Sequence, residues 1–195
     1  MLFMNSHARV QSLERFVTAT RSDIPLLMEL YEKGAQYQKE KFGKGWQFID
    51  TDRVETEIRE SRLWKIVEDD AIACIFSVVY SDPLLWQERN EDAAVYIHRI
   101  VTNPDFRGRG YVTKITDWAK EHAHANELKY VRLDTWEDNL KLAQLYASNG
   151  FEPVGRVLLN ETDSVPKHYI GNAISLFQID LQSDRDRLKQ LKPDG

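Results

Sequence analysis

Apolar residues along this chain recur in two rhythms, at every second position and at every third or fourth, and the two rhythms alternate. Residues 15–20, RFVTAT, read as a strand. Ser22 follows, with a side-chain oxygen suited to capping a helix that opens DIPLLMELYEKGAQY. Two glycines and two large aromatics, Trp46 and Phe48, interrupt the period in KFGKGWQFID. A second helix is predicted in DRVETEIRES, where Asp52 and Glu55 stand at capping-box spacing with Asp in the place of Ser or Thr. LWKIVE and AIACIFSVVY then flank a short acidic turn at Asp69 and Asp70, which predicts an antiparallel hairpin.

The second half of the chain continues the alternation. Residues 93–102, AAVYIHRIVT, predict a strand that stops at Asn103 and Pro104. Beyond two glycines, Val112, Ile115, Ala119 and Ala123 recur near helical spacing. KYVRLDTW predicts a strand and DNLKLAQLYASN a helix, with Gly150 where a left-handed cap would close it. FEPVGRVLL and AISLFQIDL predict two last strands. The order β-α-α-β-β-β-α-β-α-β-β is that of a mixed α/β layer structure. Residues 15–181 are expected to form one domain, with an extension over 1–14 and a polar tail over 182–195.

Candidate chemistry begins in NPDFRGRGYV, between a strand and a helix. A helix start leaves its first amides unpaired and carries partial positive charge, which makes it an anion site. Gly108 and Gly110 let the backbone approach a diphosphate and adopt left-handed angles. Arg107 and Arg109 add fixed positive charge. The bland alternative is a solvated turn, but a position between a Pro-terminated strand and an amphipathic helix favours the cradle. GxxxxGK[ST] is absent, and a dinucleotide-binding fingerprint would need a third glycine and an opening βαβ unit.

RGRGYV opening the central helix and NLKLAQLYASNGF later in the chain, in this order of elements, resemble the GNAT superfamily of N-acetyltransferases. The resemblance covers nearly the whole chain. The family signature is Gln or Arg, two residues, Gly, one residue, then Gly or Ala. Arg107, Gly108, Arg109, Gly110 and Tyr111 fit it, while Val112 stands at the last, small-residue position. The resemblance implies a central, mostly antiparallel, splayed mixed sheet flanked by helices, with acetyl-CoA as cosubstrate. It also implies that amides from Arg107 to Val112 hold the coenzyme A diphosphate. Backbone groups of Ile100, Val101 and Thr102 would pair with the pantetheine arm as if it were an added strand.

Acyl transfer from a thioester to an amine raises two proton problems. The departing thiolate needs a proton, and tyrosine, with a reference pKa of about 10, can supply one without ionising at neutral pH. Tyr146 is the candidate, because Asn139, Leu142, Ala143 and Tyr146 fall on one helix face. Similar helices in the family carry Asn facing the pantetheine and Tyr near the sulfur. A core aromatic with its hydroxyl at the edge is the other reading of Tyr146. A lysine-like amine, with a pKa of about 10.4, is neutral in roughly one molecule in a few thousand at neutral pH. That deficit of roughly 4–5 kcal/mol favours a positioned base. His98 suits the task by its ordinary pKa, and alternation puts it on one strand face with Tyr96, Ile100 and Thr102. It resembles the strand histidine that relays protons through water in serotonin N-acetyltransferase-like enzymes. A structural histidine beneath the first helices is the equal alternative, and a weakly basic acceptor would need no base.

Composition narrows the partners. With 42% hydrophobic and 29% charged residues the chain has the balance of a folded protein, and a net charge of −5 argues against a nucleic-acid partner. Cys74 is the sole cysteine and lies in an apolar run, which fits a reducing compartment and leaves no acyl-carrying thiol. With no leader pattern and no apolar stretch of bilayer length, a cytoplasmic protein without membrane contact is expected, and the sequon at Asn160 is expected to be idle. His122 and His124 stand two apart on a helix and do not readily share an ion, so no metal is expected. Trp46, Phe48 and Trp86 are either acceptor-channel walls or lids on the core, and His168 and Tyr169 border the acceptor side in similar proteins. A homodimer is compatible with the resemblance. The leading reading is direct acetyl transfer to a primary amine of a small molecule or peptide. The alternatives are a coenzyme A-binding sensor or scaffold without turnover, motivated by Val112, and a domain in which the glycines only turn the chain.

Overall fold

The computed structural model describes residues 13–43, 49–160 and 170–182. Seven strands, β1 (Glu14–Thr18), β2 (Leu63–Glu68), β3 (Ala71–Val79), β4 (Ala94–Thr102), β5 (Tyr130–Trp136), β6 (Glu152–Leu158) and β7 (Ala173–Asp180), build one sheet. Their order is β1-β2-β3-β4-β5-β7-β6, and every pairing is antiparallel except β4 with β5. Five helices flank it: α1 (Ile24–Phe42), α2 (Thr51–Arg59), α3 (Pro83–Trp86), α4 (Tyr111–Ala125) and α5 (Leu140–Ser148). The expected element order is met, with α3 and a 3-10 turn added between β3 and β4. No helix among the described residues is long and apolar enough to cross a membrane.

The helix starts differ from expectation by one hydrogen bond each. Thr20 rather than Ser22 opens the first helical turn, exchanging bonds with Asp23 across a capping box. Asp50, two residues before the expected cap, accepts from the Arg53 amide at 2.7 Å and starts α2. Gly150 closes α5 in the left-handed region, as the sequence predicts, with the Phe151 amide reaching back to Tyr146.

Each face of the sheet carries its own core. On one side Leu27, Leu30 and Tyr31 of α1 and Val54 of α2 meet Leu63, Ile75 and Val101. On the other, Ile115, Ala119 and Ala123 of α4 and Tyr146 of α5 meet Phe76, Val95, Ile97, Leu133 and Phe177. A fully buried Ile or Leu in such a layer contributes roughly 1.5–3 kcal/mol relative to an exposed one.

Two irregularities in the middle of the sheet create the space in which chemistry can occur. First, β4 and β5 pair only from Ala94 to Tyr96 with Tyr130 to Arg132, and then part. Second, Arg99 bulges out of β4 with φ +50°, and the register with β3 jumps between Ser77–His98 and Ile75–Val101. The bulge reverses the alternation of side chains. Val95, Ile97 and Ile100 therefore all reach the α4 side, while Val101 turns into the α1 core. His98 does not share a face with Ile100, contrary to simple alternation.

Candidate active site

The parting of β4 from β5 opens a cleft of about 220 Å³. His98, Ile100 and Thr102 of β4, Asp134 of β5, and Asn139, Leu142 and Tyr146 at α5 line it, and Val112 reaches it from the first turn of α4. His98, Ile100, Thr102, Val112, Asn139, Leu142 and Tyr146 were singled out in the sequence and meet here, whereas Asp134 was not, and Arg107 to Tyr111 are not among the lining residues. Val101 turns its side chain away into the α1 core and keeps only its backbone on the strand edge. Beyond Tyr96 that edge of β4 has no strand partner among the described residues.

Past the end of β4, the turn Pro104–Phe106 leads into the glycines. Gly108 and Gly110 have φ of +80° and +72°, and Gly110 is the N-cap of α4. Both angles lie where a side chain is strained, which accounts for glycine at these two positions. Among the described residues no backbone carbonyl accepts from the amides of residues 108–113, and α4 has no side-chain cap. Open amides, a helix start and two left-handed glycines form a fitting receptor for a diphosphate. The arginines act differently from expectation. Arg109 donates to Glu68 at 3.0 Å and lies over the Phe106 ring, so its charge is matched by the end of β2. The Tyr111 hydroxyl donates to the same carboxylate, and together they hold Glu68 below the usual carboxylate range. Arg107 lies 5.1 Å above the Tyr37 ring of α1.

Asn139 precedes α5 rather than lying within it. Its side-chain oxygen accepts from the Leu142 amide at 3.2 Å as the N-cap, while the residue still lines the cleft. Tyr146 is 6% exposed, with its ring packed against Phe151 and Phe177 at 5.9 and 5.7 Å. Burial, and behind it the charge of Asp134, raise the phenol above its ordinary pKa, so it stays protonated. The core and catalytic readings of Tyr146 are therefore compatible: the ring is packed and the residue borders the cleft.

His98 lies between two carboxylates. Its Nε2 is 3.4 Å from Asp82 Oδ2 and its Nδ1 is 3.7 Å from Asp134 Oδ1. Asp82 stands immediately before α3 and Asp134 two residues past the last rung joining β5 to β4. Burial, with the charges of Arg99, Arg53 and Arg62 adding, pushes the imidazole down to about 3, so it is neutral at neutral pH. Burial raises the Asp82 carboxyl, and burial with the Asp82 charge raises Asp134 to about 7. Asp82 Oδ2 is buried without a hydrogen-bond partner among the described residues. One side-chain atom from each of the three residues lies within 4.8 Å of the others.

Asp82, Asp134 and Arg99 were missed from the sequence. A lone acid inside the apolar strand KYVRLDTW was the available signal for Asp134. Trp86 is not a channel wall: it is 2% exposed and packs edge-on to Tyr96 at 5.4 Å, with Arg132 over its ring. His122 is a packing residue, stacked on Trp118 and hydrogen-bonded to the Tyr80 hydroxyl. Cys74 is fully buried in β3, and burial pushes its thiol up to about 12. Trp46, Phe48, His168 and Tyr169 lie outside the described residues, as do 1–12 and 183–195.

Comparison with known proteins places this geometry. The sequence profile of the Acetyltransferase (GNAT) family matches residues 27–151. The N-acetyltransferase YesJ of Bacillus subtilis is 21% identical over 145 residues, 70% of this chain and 81% of its own length. A GNAT-family acetyltransferase of Listeria monocytogenes superposes with a TM-score of 0.69 at 23% identity, over 87% of this chain and 95% of that one. The acetyltransferase yncA of Salmonella typhimurium, solved with its cofactor acetyl-CoA, has a TM-score of 0.60 at 14% identity, over 86% of this chain and 94% of its own. At these identities the structural likeness carries the fold.

Proposed function

The chain belongs to the Acetyltransferase (GNAT) family and is an acyltransferase enzyme, and from that premise we propose that it moves an acetyl group from acetyl-CoA directly to a primary amine. The observation that carries this reading is a convergence at the parting of β4 and β5. The unpaired edge of β4, the buried Tyr146 and Val112 from the first turn of α4 line one cleft, and the open amides of residues 108–113 belong to that same helix start. The amides from Arg107 to Val112 would bind the diphosphate, and the β4 edge from Ile100 to Thr102 the amide-bearing pantetheine arm. Acetyl-CoA supplies the activated acyl carbon.

The chain's own groups supply positioning and proton traffic. Leu142, Val112 and Ile100 give the thioester end an apolar wall. Tyr146, kept protonated by burial, donates its phenolic proton to the departing sulfur. His98, neutral on the β4 wall and with its basicity lowered by burial, can pass the amine's proton on through water but not keep it. With Cys74 buried and protonated in β3, an acyl-cysteine step has no nucleophile, which supports direct transfer.

The test combines binding with turnover. Acetyl-CoA at about one hundred times its Kd is expected to stabilise the protein by roughly 2.7 kcal/mol in thermal unfolding. Thiol release should follow on addition of a primary amine. Tyr146→Phe keeps the ring and removes the proton, so it should bind acetyl-CoA as before and lose turnover by about 10²-fold or more. Stabilisation by coenzyme A with no thiol release over a broad amine pool would instead establish the sensor reading.

A further inference from the structure

We infer that Asp82, His98 and Asp134 form the receptor for a protonated alkylamine, with Asp134 taking the proton that makes its nitrogen nucleophilic. This inference rests on the transferase reading of the same cleft and names its acceptor class.

The geometry carries it. Asp134 lines the cleft directly, on the same walls as Tyr146, whereas Asp82 stands behind His98. Two carboxylates with oxygens within 4.8 Å of each other, each side chain about one-seventh exposed, repel strongly unless a cation or a shared proton sits between them. Among the described residues no Lys or Arg is paired with either carboxylate, although Arg99 lines the same cleft. Arg99 turns to Glu57 and Ser77, and Arg132 to Asp92, Gln178, the Tyr96 hydroxyl and the Arg89 carbonyl. The neutral imidazole of His98 can pass a hydrogen bond but brings no compensating charge. An ammonium group entering the cleft beside Asp134 fits the deficit, and His98 links that position to the buried Asp82 Oδ2 behind it. A weakly basic amine, such as an arylamine, enters uncharged and leaves the pair as it was.

The proton count closes. An alkylammonium loses one proton to Asp134, and the freed lone pair forms the new carbon–nitrogen bond as the carbon–sulfur bond breaks with its electrons on sulfur. Tyr146 protonates that sulfur. The nitrogen's second proton passes by way of His98 and water to restore the phenol, and Asp134 returns its own to solvent. The net products are the acetamide, the free thiol and one proton.

The groups that face Asp134 are Asp82 from the turn before α3, His98 from β4 and Tyr146 from α5, with Arg99, Arg53 and Arg62 acting on His98 from behind. Only the ionised form of Asp134 accepts, and its carboxyl is raised to about 7. The rate should therefore rise with pH through that value.

The experiment compares phenethylamine with aniline as acceptors, with acetyl-CoA, for the wild type, Asp134→Asn and Asp82→Asn. The expected result is a kcat/KM for phenethylamine at least about tenfold above aniline, lost in Asp134→Asn by about 10²-fold together with the rising pH limb. Asp134→Asn removes the repulsion, so it should melt above the wild type at alkaline pH and bind acetyl-CoA unchanged. Asp82→Asn should move the pH limb to lower pH, because one of the charges that raises Asp134 is gone. Equal use of both amines, or an unaltered pH limb in Asp134→Asn, overturns this inference while leaving the transferase standing. A chelator that abolishes turnover, with a divalent cation restoring it, also overturns it by making the three residues a metal site. Absence of acetyl-CoA binding in the wild type removes the transferase reading itself, and this inference with it.

Discussion

Asp134 and His98 titrate in opposite senses, and their neighbourhood makes both shifts visible in stability. Asp134 is raised from 3.8 to about 7, so its stabilising contribution is complete below 3.8 and disappears as pH rises through about 7. His98 is lowered from 6.5 to about 3, so its contribution is complete above 6.5 and disappears as pH falls through about 3. Between these limits the two trends oppose each other and the wild type conceals both. The melting temperature of Asp134→Asn minus that of the wild type should accordingly grow as pH rises from about 4 to about 7, and stay level above that. A difference that is constant across the range would mean that Asp134 ionises in the fold as it does in water. None of this was legible in the sequence. Asp134 appeared only as one acid among apolar neighbours, and Asp82 as a turn residue, because their shifts arise from burial in the fold and, for Asp134, also from the charge of Asp82.

At the scale of elements, the chain's own periodicity gave the strands and long helices, since each buries one face and must therefore repeat polar and apolar positions at a fixed interval. The caps were less legible. Asp50 and Asp52 are chemically equal candidates, and only the helix axis set by Val54 in the α1 core decides between them. The β4 bulge left only a broken alternation, in which the polar pair His98–Arg99 is followed by the apolar pair Ile100–Val101, and simple period-two reading passes over it. What holds the bulge is distant in sequence. Arg99 donates to Glu57 on α2 and, at 2.7 Å, to Ser77 on β3, and its guanidinium also lies 5.7 Å from the Tyr31 ring. Glu57 is 2% exposed, with Arg53 and Arg62 farther off than Arg99. Arg99→Leu should thus destabilise by roughly 3 kcal/mol, because it strands a buried carboxylate. For a chain of this size that is a fall of about 6–12 °C in melting temperature. Adding Glu57→Leu should recover part of the loss, and a double-mutant cycle measures how much.

Across the whole molecule, the legible part of the site was the part built from contiguous residues. The glycine cradle and the α5 face lie within short stretches, so their spacing carries their geometry. The proposed acceptor side draws Asp82, His98 and Asp134 from three separate segments, and no local pattern ties them together. The same division runs through the sheet. β1 to β4 form one antiparallel panel and β5, β7 and β6 another, and between them only the pairs from Ala94 to Tyr96 are made.

That narrow seam has a mechanical consequence. Peptide groups of β4 past Tyr96 that point toward β5 are open to solvent exchange, whereas the rungs beside Ala94 are closed. Deuterium uptake should therefore be quick over residues 98–102 and slow over 94–96. Saturation with coenzyme A should slow the former, because its pantetheine amides would bond the panel's bare margin as a further strand does. On the proposed binding mode the cosubstrate would then also be a splint, adding bonds along β4 beyond the three rungs that already join the two panels.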